Sequence, residues 1–211
     1  MQPGLVWAPA QDRLHGVFDD ALPDGWGMLL MDRHFRRSGF DVNGIGALDR
    51  LAYLGGRTMG ALSFFPPAED RPVGSDVIDL QQLSDAAEQV LEGRAAELLP
   101  QLQYAGGTPG GARPKVLVAL CGDQMRTGSD LPPEGYESWL IKFTGRREAA
   151  DTGAVEHVYA NLARRAGICV PETRLFVTAA GQRCFGVRRF DRVGVTRLHI
   201  HTLAGILNAD F

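Results

Sequence analysis

One stretch of twelve residues, Tyr104-Ala-Gly-Gly-Thr-Pro-Gly-Gly-Ala-Arg-Pro-Lys115, constrains this chain more than any other. It holds four glycines and two prolines, a composition that fits no regular element. Val116–Cys121 follows at once and is rich in β-formers. The stretch is therefore expected to be a loop that delivers a strand. The chain before it is mostly helical in pattern. The chain after it alternates strands with one strong helix. That order makes the fold class α+β, with an antiparallel sheet in the second part.

Residues 1–16 alternate poorly and read as loop. Helical character starts near Pro23, whose ring suits a first turn. From Trp26 to Arg37, Met28, Leu29 and Phe35 with Arg33, Arg36 and Arg37 suit an amphipathic helix ending at Gly39. A short helix near Ile45–Tyr53 is broken by Gly55-Gly56. Met59–Phe65 reads as a strand closed by Pro66-Pro67. Residues 67–76 read as a linker. Apolar residues from Leu80 to about Leu102 recur at three-to-four spacing, so this run reads as a helix that Gly93 interrupts. The chain divides best here, into residues 1–95 and 96–211.

After the glycine-rich stretch, Gly122–Gly135 reads as a long polar connection and Ser138–Phe143 as a second strand. Val155–Ala166 has Val155, Val158, Tyr159, Leu162, Ala163 and Ala166 on one face, with Gly167 at its end, and reads as a helix. Thr173–Thr178 and Cys184–Phe190 read as a hairpin around Ala179-Ala-Gly-Gln182. Phe190-Asp191-Arg192 leaves the sheet, and His199–Asn208 reads as one more helix.

Several functions are disfavoured by composition. The net charge of −3 gives no electrostatic footprint for binding nucleic acid unaided. Cys121, Cys169 and Cys184 are three in number and widely spaced, so they form neither a disulfide framework nor a zinc motif; a reducing cytoplasm fits best. The N-terminus lacks the pattern of a signal peptide, and no apolar run approaches the length of a membrane span. His199 and His201 would share one face of an extended segment, but no third metal ligand is near. Ser84, Ser129 and Ser138 lack the context of a nucleophile elbow.

Three features could carry chemistry. Backbone N–H groups in a glycine-dense loop can cradle phosphate where no Cβ blocks the approach. The loop matches neither a Walker A motif nor G-x-G-x-x-G, and alone it reads first as a flexible connection. Lys142, between Ile141 and Phe143, must reach water, pair with an acid or bind an anion; alone it reads first as a strand-end lysine. Glu156 starts the following helix, where the dipole favours a carboxylate; alone it reads first as an ordinary helix charge. Taken in order, though, the signals run glycine loop, strand, strand with lysine, helix with glutamate, hairpin and exit segment. That is the order of a protein-kinase N-lobe.

The residues resemble the HipA family of bacterial serine/threonine kinase toxins. Thr108-Pro-Gly-Gly-Ala-Arg-Pro-Lys115 resembles that family's S-P-G-G-A-R-P-K loop, and Ala21-Leu-Pro-Asp-Gly-Trp-Gly27 its A-L-P-D-G-W-G segment. Leu140-Ile-Lys-Phe143, Val155-Glu-His-Val-Tyr159 with Ala163 to Pro171, Arg189-Phe-Asp-Arg192 and Arg197-Leu-His199 resemble further family segments, in family order.

The resemblance implies a HipA-like N-terminal subdomain followed by a kinase-like N-lobe. Pro109, Gly110, Gly111, Ala112, Arg113 and Lys115 would lie on the ATP phosphates. Lys142 would touch those phosphates with Glu156 as its ion-pair partner, and backbone around Arg188 and Phe190 would hold the adenine. Thr108 stands where the family carries an autophosphorylated serine. The cofactors implied are ATP and Mg²⁺. The partners implied are a protein substrate and a HipB-like helix-turn-helix antitoxin, with no direct nucleic-acid contact and no membrane.

The family's catalytic aspartate and magnesium-binding residues lie past the segments matched here. The expectation is therefore no catalytic residue and no metal ligand in this chain, a missing C-lobe and no phosphotransfer by the chain alone. Asp210 is not read as the metal aspartate, and a strand-rich segment ahead of residue 1 is expected from the family. A second reading is a non-catalytic protein that pairs with or inhibits a companion kinase half, motivated by apolar Leu203, Ile206, Leu207 and Phe211. A third is a decayed gene product.

Overall fold

A computed structural model describes residues 14–68, 77–94, 100–106, 109–127, 131–145 and 148–208. After a single helical turn, α1 (Gly16–Asp19), comes α2 (Gly25–Arg37), then α3 (Ala47–Leu54). His34, Arg36 and Arg37 close α2, where cations suit the negative end of the helix dipole. Then come α4 (Leu80–Leu91) and α5 (Pro100–Gly106). The Asp79 carboxylate caps α4 by accepting from the Gln81 N–H at 2.8 Å.

The rest is a five-stranded antiparallel sheet with one long helix. Its strands are β1 (Lys115–Cys121), β2 (Gln124–Thr127), β3 (Glu137–Lys142), β4 (Thr173–Val177) and β5 (Arg183–Arg188), ordered β2-β1-β3-β5-β4. Helix α6 (Thr152–Arg165) connects β3 to β4 and packs on β4 and β5. A small hairpin of β6 (Arg192–Val193) and β7 (Thr196–Arg197) follows, then α7 (Leu203–Leu207).

Register decides what each sheet face carries. Val116 pairs with Ile141 and Val118 with Trp139, so all four share one face. That face is buried against Trp26 and Leu30 of α2, Leu83, Ala87 and Val90 of α4, and Leu102 and Ala105 of α5. Five positions on from Trp26 and Leu30, and so on a different stripe of α2, Met31 and Phe35 pack with Leu51, Tyr53 and Leu54 of α3 in a second cluster. Helix α2 thus buries two stripes and ties the N-terminal helices to the sheet.

Several expectations are corrected. Met59–Phe65 is not a strand. The Gly60 N–H donates to the Asp191 carboxylate at 2.8 Å, and the carbonyls of Gly60 and Thr58 accept from Arg192. At Gly60 the groups a ladder would need are met by side chains from the far end of the chain, while the Leu62 carbonyl accepts from the Thr58 hydroxyl and the Phe64 N–H donates to the Gly55 carbonyl. Gly122–Gly135 is not one long connection: Cys121 pairs with Gln124 across a tight turn, and Met125 and Thr127 turn inward. Tyr104, Ala105 and Gly106 end α5 rather than opening the loop. The run from Leu80 stops at Leu91, where Gly93 takes a φ of +70°. His199–Asn208 shortens to α7, begun by Thr202, whose hydroxyl accepts from the Gly205 N–H at 3.0 Å.

The expectations for residues 1–13, most of the linker (69–76), Thr108, Ser129, Asp210 and Phe211 fall outside the described residues. Among the described residues, no helix is long and apolar enough to cross a membrane.

Candidate phosphate site beneath the glycine-rich loop

The second face of the sheet is built by the alternate residues. Lys115 stands directly opposite Lys142, and Lys142 opposite Phe185. One step along, Leu117 stands opposite Leu140, and Leu140 opposite Val187. A row of two lysines and an aromatic ring therefore lies beside an apolar row. The Lys142 ammonium sits 5.4 Å from the Phe185 ring centroid. Two like charges directly opposite across a ladder are unfavourable in themselves. They persist here because acceptors surround them.

Lys142 Nζ lies 2.7 Å from Glu156 Oε2 of α6. The other oxygen of Glu156 accepts from Arg113, whose Nε also donates to Glu148 at 2.5 Å. Glu156 thus joins the strand lysine to the glycine-rich loop. The hydrogen bond from Arg113 to Glu148, aided by the charges of both acids, raises the guanidinium's affinity for its proton. Burial pushes the Glu148 carboxyl up, but Arg113 and the Gly145 N–H outweigh it and hold it below the usual range.

Lys115 is buried at the start of β1 and donates to the Gly110 carbonyl at 2.5 Å. Burial brings its pKa down to about 8, with the charges of Lys142 and Arg113 acting in the same direction against Asp24 and Glu156. Gly111 has a φ of +95°, and a Cβ there would sit 2.6 Å from Lys115 Nζ. Only glycine lets the loop bend this closely over the ammonium.

The other anticipated residues fall into two groups. Pro109, Gly110 and Ala112 lie in the loop above Lys115, with Pro109 buried and Ala112 exposed. Arg188 ends β5, level with Trp139 rather than Lys142, and Phe190 lies two residues past the strand. Trp139 and Lys142 are three steps apart along β3, roughly 10 Å. Arg188 reaches Glu137 at 3.0 Å, its N–H donates to the Glu172 carbonyl at 2.9 Å, and the Phe190 ring is exposed. His199 and His201 lie with ring centroids 5.8 Å apart, and among the described residues no group of three or more metal-ligating side chains gathers.

Residues 107–211 match the HipA-like C-terminal domain, and residues 4–65 match the HipA N-terminal domain. The chain belongs to the HipA family. No curated protein matches it. HipA proteins act as toxins in toxin–antitoxin systems and generally pair with HipB antitoxins. In this HipA chain the C-terminal match opens at the glycine-rich loop, and the N-terminal match contains α2 and α3.

Sequence reasoning missed three parts of the site. The apolar row of Leu117, Leu140 and Val187 becomes visible only once the register is known. Glu148 was not anticipated, nor was the hold that it and Glu156 together take on Arg113, because both acids are far from the loop in sequence. Asp24 was missed as well, although it belongs to the segment Ala21–Gly27 that carried part of the resemblance.

Proposed function

We propose that this chain carries the ATP-phosphate site of a HipA-like serine/threonine kinase toxin working in the cytoplasm. The observation that carries the reading is the direct opposition of Lys115 and Lys142 beneath the bend at Gly111, with Arg113 closing the same space. Three cations converge on one sheet face, beneath a glycine-dense loop of the kind whose backbone can meet an anion. The adjoining row of Leu117, Leu140 and Val187 offers an apolar surface for a purine. Backbone near Arg188 and Phe190 then meets its edge.

The residues fit ATP on these grounds. Lys142, Arg113 and Lys115 hold the phosphates, and Glu156 keeps Lys142 aimed at them. Asp24, Glu148 and Glu156 already meet N–H donors or cations, so Mg²⁺ enters with the nucleotide rather than on this acid set. The γ-phosphoryl group is what ATP supplies to a serine or threonine of a substrate protein, and neutralising phosphate charge is the part these residues perform. A HipB-like antitoxin is the partner of the whole toxin.

Calorimetric titration tests the reading. ATP binds at least tenfold tighter than adenosine, and the difference shrinks as salt rises. Equal affinities for the two would overturn it.

A further inference from the structure

The start of α2 takes no part in the ion-pair network, yet it grips the glycine-rich loop at four points. Asp24 is the residue that caps α2. An aspartate there ordinarily accepts from an N–H of its own first turn. Asp24 makes no such bond. Its carboxylate accepts instead from the Gly111 N–H, 87 residues away.

Gly25 follows with a φ of +39°, and a Cβ on it would lie 2.7 Å from the Ala112 Cα. The Trp26 N–H donates to the Gly111 carbonyl at 3.1 Å, and its indole N–H donates to the Lys115 carbonyl at 2.9 Å. Trp26 itself is buried in the main core and cannot yield. A glycine-dense loop has more backbone freedom to lose than any other kind. Here its bend at Gly111 and its junction with β1 at Lys115 are held by one corner of another element, the bend by a carboxylate as well.

We propose that Asp24 is a positioning residue for the phosphate-binding loop: its carboxylate holds the Gly111 backbone in the bend that lets Arg113 and Lys115 face a nucleotide's phosphates. The proposal rests on the nucleotide reading above. It makes the N-terminal segment a working part of the site rather than a separate module. Asp24 acts through the loop and does not touch the nucleotide.

The test compares Asp24→Ala and Asp24→Asn with the parent chain by two readouts: amide hydrogen exchange at Gly111, and titration with ATP and with adenosine. Asp24→Ala speeds exchange at Gly111 at least tenfold and weakens ATP five- to thirtyfold, while adenosine affinity stays within twofold. Asp24→Asn keeps an acceptor oxygen and recovers most of both losses. Exchange at Gly111 that is the same in Asp24→Ala and the parent overturns the proposal. So does ATP affinity that is unchanged or tighter in Asp24→Ala, or an Asp24→Asn variant as impaired as Asp24→Ala.

Should Asp24→Ala fail to fold, Asp24→Glu takes its place, since the longer side chain moves the acceptor. ATP affinity then falls at least threefold, and an unchanged affinity overturns the proposal. A parent chain that binds no ATP removes the nucleotide reading and this role with it. A parent that binds ATP with an indifferent Asp24 removes this role alone.

Discussion

Replacing Asp191 by alanine should unfold this protein more readily than any surface change, and the size of the effect follows from its neighbours. The Asp191 side chain is 2% exposed, and those of Arg189 and Arg192 are 4% and 1% exposed. Arg189 donates to both carboxylate oxygens, at 2.8 and 2.6 Å, Arg192 donates at 2.8 Å, and the Gly60 N–H donates at 2.8 Å. Arg192 keeps the Gly60 and Thr58 carbonyls when the acid is gone, so its charge is cushioned. Arg189 loses both bonds and becomes a buried, uncompensated charge.

Removing one partner of such a pair costs about 3–5 kcal/mol. At roughly 2–4 °C per kcal/mol for a chain of this size, the midpoint should fall by about 6–20 °C. Differential scanning calorimetry reads this directly. Asp191→Asn, which keeps the shape and one acceptor, should lose less. A drop below about 2 °C for the alanine variant would refute the reasoning, because the knot would then hold little. Burial pushes the Asp191 carboxyl up, but Arg189, the Gly60 N–H and Arg192 hold it below the usual range. Its stabilisation is therefore present in full above the ordinary aspartate value of about 4 and is lost as pH falls below it.

Two further outcomes concern the site. The Lys115 pKa of about 8 means that ATP affinity should fall between pH 7 and 9 as the ammonium loses its proton, and Lys115→Arg should flatten that step; an unchanged step would contradict it. For folding the sign is opposite: burial disfavours the charged form, so Lys115 weighs against stability below pH 8, and that penalty is relieved as pH rises from about 8 towards the unperturbed value. Gly111→Ala places a Cβ 2.6 Å from Lys115 Nζ on a backbone of positive φ. It should cost about 1–3 kcal/mol by urea unfolding and weaken ATP together with it.

The second part of the fold was easier to read than the first. Val116–Cys121 and Ser138–Phe143 announce themselves by β-rich composition, and α6 by its spacing. What fails is instructive. Gln124–Thr127 is a polar strand in which only alternate residues turn inward, so composition hides it. Met59–Phe65 has a strand's composition, but Asp191 and Arg192 take both backbone groups of Gly60 from 131 and 132 positions away. Helix α6 presents Val158, Tyr159 and Leu162 outward, at 53%, 69% and 52% exposure, so its apolar stripe does not mark the face packed on β4 and β5.

In the site, Lys142 and Glu156 could be read as neighbours because a strand and the next helix bring them together. Arg113, Glu148 and Asp24 could not, because each contact joins distant segments and depends on the bend of a loop whose sequence says only that it is no regular element.

The most direct measurement is ATP titration of the parent chain and of Lys142→Ala, with melting curves to confirm that both are folded. Loss of a charged hydrogen bond to phosphate is worth about 1–3 kcal/mol, so affinity should fall roughly 5- to 150-fold while adenosine affinity holds. A Lys142→Ala variant that is folded and binds ATP as tightly as its parent would contradict the assignment of this sheet face to a nucleotide's phosphates.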